Sequence, residues 1–178
     1  MTLVFPRRGA VALIAGAALS GCGFQPVYMP TASGNAGVAQ RELAAIQVDI
    51  IPDRPGQLLR QALQERLAGS SSGVAYRYSL SVGYSISGEG IAILPTTAAT
   101  RVREIGSANW TLNAQDPGKT KLSTGFAKAV DAYNIIDSQY FAMDLENEAV
   151  QKRLAEALAD QITLQLAVYF RKRAAGSG

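Results

Sequence analysis

The sequence predicts an α+β fold: a four-stranded mixed sheet with two helices packed on one face, in the order β-α-β-β-β-α. Three patterns predict it. Residues 74–87 alternate without a fault, with Val74, Tyr76, Tyr78, Leu80, Val82, Tyr84 and Ile86 on one face and Ala75, Arg77, Ser79, Ser81, Gly83, Ser85 and Ser87 on the other. A period of two with one apolar side marks a strand that has a core face and a wet face. Val150, Leu154, Leu158, Ile162, Leu166 and Phe170 recur every four residues, as the buried stripe of a long helix does. Ile46, Val48 and Ile50 alternate ahead of a leucine stripe at Leu59, Leu63 and Leu67, which gives a short strand followed by a helix.

The chain of 178 residues suits one folded domain. A chain of this size buries enough apolar surface to need neither disulfides nor metal for its core. Histidine is absent, so imidazole proton shuttles, His metal ligands and His-based triads are excluded. The single cysteine, Cys22, excludes an intramolecular disulfide and any CxxC site. No paired-carboxylate motif, GxSxG elbow or P-loop is present, so no catalytic residue, no metal and no cofactor is expected.

Residues 1–21 read as a signal peptide. Arg7 and Arg8 precede an apolar run from Ala10 to Leu19. Ten helical residues rise about 15 Å, half of the ~30 Å hydrocarbon core, which suits a secretory h-region and not a membrane span. The run ends in Leu19-Ser20-Gly21-Cys22, which resembles the bacterial lipobox. That resemblance implies cleavage after residue 21, a diacylglyceryl thioether on Cys22 and a third acyl chain (palmitate) on its new amine. Gly23, in place of Asp, implies sorting to the outer membrane. Without the leader, 15 basic residues face 14 acidic ones, too even a balance for a nucleic-acid binder.

Residues 22–40 form a lipidated cysteine and flexible tether, with Pro26, Pro30 and then a small, polar run from Thr31 to Gly37. The domain spans 41–173, with a disordered tail at 174–178. Pro52-Asp53-Arg54-Pro55-Gly56 ends the first strand and leads into the first helix, for which Gly69 is the C′ residue. Ser70–Gly73 forms a turn before the long strand. Residues 99–113 give a third strand with Ala108, Trp110 and Leu112 inward and Arg101 and Arg103 outward. Asp116-Pro117-Gly118 turns it into a fourth, Leu122–Val130, with Leu122, Phe126 and Val130 on one face. The closing helix is capped by Asp137 or Ser138, or later by Asp144, and ends at the cations Arg171-Lys172-Arg173, which suit the helix dipole.

Several segments resemble one family. Cys22-Gly23-Phe24-Gln25-Pro26-Val27-Tyr28, then Gly56-Gln57-Leu58-Leu59-Arg60, then Ala132-Tyr133-Asn134 with Asp137–Ala142, are similar to the LPS-assembly lipoproteins of the LptE family, especially its alphaproteobacterial members. The resemblance implies two helices on a four-stranded sheet. It also implies a lipid-anchored protein on the periplasmic side of the outer membrane. Such a protein plugs and helps assemble the LptD β-barrel and assists insertion of lipopolysaccharide into the outer leaflet. The implied partners are LptD, lipopolysaccharide and membrane lipid. A periplasm-facing lipoprotein subunit of another envelope lipid-transport complex is the alternative.

Beyond Cys22 the family's basic lipopolysaccharide contacts do not transfer by position: Leu94-Pro95 and Ser138-Gln139 stand where cations are expected. The nearby cations Arg101, Arg103, Lys119 and Lys121 are the candidates for lipopolysaccharide, with Lys128 on the same hairpin. The apolar loop residues Ile91, Ile93 and Leu94 are the candidates for contact with the barrel wall, since exposed apolar patches mark interfaces.

Overall fold

The computed structural model describes residues 37–68, 73–91, 101–135 and 140–176. Helix α1 (Val38–Ala44) leads into strand β1 (Ile46–Val48) and helix α2 (Asp53–Ala68). Strands β2 (Tyr78–Gly90), β3 (Arg101–Ala114) and β4 (Lys121–Asn134) follow, and helix α3 (Tyr140–Gly176) closes the chain. The sheet runs β1-β2-β3-β4, with β1 parallel to β2 and the other pairs antiparallel. It is the mixed four-stranded sheet that the alternation predicts, with helices on one face.

The leucine stripes behave as their spacing requires. Leu59, Leu63 and Leu67 of α2 and Val150, Leu154, Leu158, Ile162, Leu166 and Phe170 of α3 are all buried. They meet Tyr78, Leu80 and Val82 of β2 and Ala108, Trp110 and Leu112 of β3 in one core. Gly56 lets the first turn of α2 sit against Ile51, because a Cβ there would lie 2.7 Å from Ile51 Cγ2. Trp110 Nε1 donates to Gln165 Oε1 at 2.9 Å, which ties β3 to α3 with the indole donor satisfied.

Five details depart from the sequence prediction. A third helix, α1, occupies residues 38–44, of which 38–40 fall in the expected tether; Ala39 and Leu43 anchor it in the core. β1 stops at Val48, and Ile50 is 83% exposed because the chain turns there to bury Ile51. β2 spans 78–90 in place of 74–87, since β1 offers a partner only from Tyr78 onward; Val74 and Tyr76 are exposed. Leu122 packs against the core while Phe126 and Val130 face outward, so the three do not share one face; Ala127 and Ala129 lie in the core. The cause is an irregularity at Leu112/Asn113, where Ser123 and Lys121 are consecutive partners and Leu122 is the extra residue. One extra residue inverts the alternation beyond it. Finally, α3 continues to Gly176, so residues 174–176 are helical where a tail is expected, and Asp144 lies within α3 rather than capping it. Gly69, Asp137 and Ser138 lie outside the described residues.

Candidate functional site on the uncovered sheet face

One face of the sheet carries the three helices and the other carries none. Along β2 the uncovered face presents Ser79, Ser81, Gly83, Ser85 and Ser87, small uncharged side chains, and then Glu89. Its character changes along β3 and β4. The register sets Arg103 opposite Ala132, Ile105 opposite Val130, Ser107 opposite Lys128 and Asn109 opposite Phe126. Phe126 and Val130 are 51% and 56% exposed. Residues two apart on a strand share a face, so Arg101, Arg103 and Lys128 lie on the same face as Ile105, Val130 and Phe126, with Lys128 between Val130 and Phe126 along β4. Cations beside exposed apolar groups suit a ligand that joins phosphates to acyl chains, because charge-assisted hydrogen bonds hold the first and burial the second.

The two arginines differ. Arg103 is clamped across the strands by Glu89, with Nε donating at 2.6 Å. Arg101 is exposed and makes no ion pair with the described residues.

Beneath the same end of the sheet lies a polar cluster. Glu104 is buried and faces Asp131 across the strands. Burial pushes the Glu104 carboxyl up, and the neighbouring Asp131 pushes it further. Tyr84 is raised to about 12 by burial and then by Glu104. Burial opposes ionisation of Asp131 too, but Arg153 donates to it at 2.6 Å and the Ala132 N–H at 2.7 Å, and together they hold it below the usual range. Tyr84 Oη and Glu104 Oε2 have no hydrogen-bond partner among the described residues. An orphaned pair of this kind costs stability.

The cations named from the sequence do not form one patch. Arg101 and Arg103 open β3, whereas Lys119 lies in the turn after it and Lys121 opens β4. Twelve positions along β3 separate Arg101 from Asn113, the partner of Lys121, roughly 40 Å at about 3.4 Å per residue. The structure instead joins Arg101 and Arg103 to Lys128. Phe126 and Val130 are surface residues that alternation alone had placed without sidedness. Ile91 is half-buried and bonds the Arg101 carbonyl through its N–H at 2.8 Å. Ile93, Leu94 and Cys22 lie outside the described residues. No helix among the described residues is long and apolar enough to cross a membrane.

This geometry defines an α+β domain with one helix-covered and one open sheet face. The model of the LptE lipopolysaccharide-assembly family matches residues 43–166, more than two thirds of the chain, and the chain belongs to that family. It is thus a non-enzymatic lipoprotein of lipopolysaccharide assembly, associated with the lipopolysaccharide-transport machinery of the envelope. Among solved structures, the chain is similar to a protein of Caulobacter crescentus CB15 assigned as a lipoprotein. The TM-score is 0.62 at 24% identity, over 75% of this chain and 96% of that one. It is also similar to the rare lipoprotein B of Shewanella oneidensis, with a TM-score of 0.50 at 16% identity, over 69% and 92%. At these identities the likeness shows the fold. No curated protein matches the chain.

Proposed function

We propose that the protein is anchored in the outer membrane through lipid on Cys22, facing the periplasm. There it plugs and helps assemble the LptD β-barrel and assists insertion of lipopolysaccharide into the outer leaflet. The observation that carries this reading is the family match over residues 43–166, on a chain whose first 22 residues have the order of a lipoprotein leader. The uncovered face supports it, because Arg101, Arg103 and Lys128 beside Ile105, Val130 and Phe126 suit a phosphorylated, acylated glycolipid. The loop that carries Ile91, Ile93 and Leu94 is the proposed contact with the barrel wall.

Affinity capture of the native lipoprotein from detergent-solubilised outer membranes tests the partnership. A large β-barrel is expected to co-purify, and depletion of the protein is expected to lower lipopolysaccharide at the cell surface. Recovery of an inner-membrane ATPase complex in place of the barrel would refute it. Ile93→Ser with Leu94→Ser is expected to lower barrel recovery; undiminished recovery removes the loop from the interface.

A further inference from the structure

The charge of this domain is unevenly distributed. α3 runs back along β4, so its last turn, the start of β2 and the β3–β4 turn come together. The Gln115 N–H donates to the Arg77 carbonyl at 2.9 Å, which fastens the turn to the start of β2. Val38, Arg77, Phe170 and Arg173 line one cleft of about 280 Å³, which brings α1 and the end of α3 to the same place. Arg41, Arg77, Lys119 and Lys121 lie at this end, and the last turns of α3 add Arg171, Lys172 and Arg173. Among the described carboxylates, Glu42 and Asp116 lie at this end and Asp49 lies two residues from Gln47, which Gln115 bonds; Glu42 is already bonded by Arg77 and by Tyr78 Oη. The remaining described residues hold eight cations and ten carboxylates. A domain close to neutral overall therefore has one strongly basic end.

The chain enters the domain at that end. Val38 lies in the cleft with Arg173 and Ala174, and Cys22 precedes Gly37 by fifteen residues. Such a segment spans at most about 50 Å. An anchor on Cys22 thus holds the basic end within reach of the bilayer. Val38 and Tyr76, both exposed, add the apolar and aromatic groups that settle at a headgroup boundary.

We propose that this basic end docks on a bilayer surface containing anionic phospholipid, and so orients the domain on its tether. The proposal rests on the lipid-anchor reading, but its test does not use the anchor. The full mature chain carrying Cys22→Ser, which cannot be acylated, is floated with phosphatidylcholine vesicles and with vesicles containing phosphatidylglycerol. Binding is expected only to the anionic vesicles and is expected to be lost at high salt. At about fivefold per cation, Lys119→Gln with Lys121→Gln is expected to weaken partition roughly 25-fold, and loss of the charges at 171–173 roughly 100-fold. Arg54→Gln with Lys152→Gln, the same charge change elsewhere, is expected to leave partition within about twofold. Circular dichroism checks that each variant is folded. Equal binding to both vesicle types, an equal loss from the Arg54/Lys152 pair, or binding to lipopolysaccharide dispersions but not to phosphatidylglycerol vesicles would overturn the proposal. Failure of the anchor itself reads out separately, as an unacylated amino terminus by mass spectrometry of the native protein.

Discussion

Trp110 and Gly125 face each other across β3 and β4, and the pair shows how one side chain dictates its neighbour. A Cβ at position 125 would lie 2.7 Å from Trp110 Nε1, against a ring that has no room to move because Gln165 holds that nitrogen. Gly125→Ala is therefore expected to destabilise the domain by about 1–3 kcal/mol, as overpacking does, read as a lower midpoint in urea. Glu104 makes a second prediction, with a sign. Its folded pKa lies above the unfolded value, so its contribution to stability is fully present below the ordinary carboxylate range and is lost as pH rises through the raised pKa. Asp131 has the opposite shift, and its contribution is lost as pH falls through the depressed pKa. Glu104→Gln is expected to flatten the first of these limbs and to be more stable than the parent at neutral pH. A pH series of urea melts decides this; an unchanged slope would show that Glu104 does not titrate there.

At the scale of elements, β4 is an edge strand of fourteen residues, a length that invites pairing with another chain. α3 guards it. Gln161 donates to the Lys128 carbonyl at 3.0 Å and accepts its N–H at 3.4 Å, so one side-chain amide stands in for a neighbouring strand. Gln165 does the same for the Phe126 carbonyl at 3.0 Å. Gln161→Leu with Gln165→Leu is expected to cost about 1 kcal/mol per hydrogen bond and to expose the edge. Sedimentation velocity would then detect concentration-dependent association. In α2, Leu63 is fully buried, and Leu63→Ala is expected to cost about 2–5 kcal/mol in a denaturant melt.

For the whole molecule, two surfaces divide the cations. Arg101, Arg103 and Lys128 serve the uncovered sheet face, while Lys119 and Lys121 belong to the basic end. Changing the first three to Gln is expected to weaken lipopolysaccharide binding roughly tenfold, at about 0.5 kcal/mol for each exposed contact. The Lys119/Lys121 pair is expected to leave it unchanged. A displacement assay with a fluorescent lipopolysaccharide separates the two; equal losses would mean that only net charge matters.

Much of this was legible in the chain itself. Four-residue spacing fixed the buried faces of α2 and α3, and two-residue alternation fixed the inward side of β2, because a repeat that matches the geometry of its element leaves one way to bury the apolar atoms. The tertiary structure alone decided where β2 begins, since Val74 and Tyr76 keep the alternation but have no strand beside them. It alone turned Phe126 and Val130 to the surface, since a single extra residue at Leu122 reverses the parity. It also separated Lys119 and Lys121 from Arg101 and Arg103, because distance along a hairpin depends on which ends the pairing brings together. Periodicity is a property of one segment, whereas sidedness, register and proximity are properties of two.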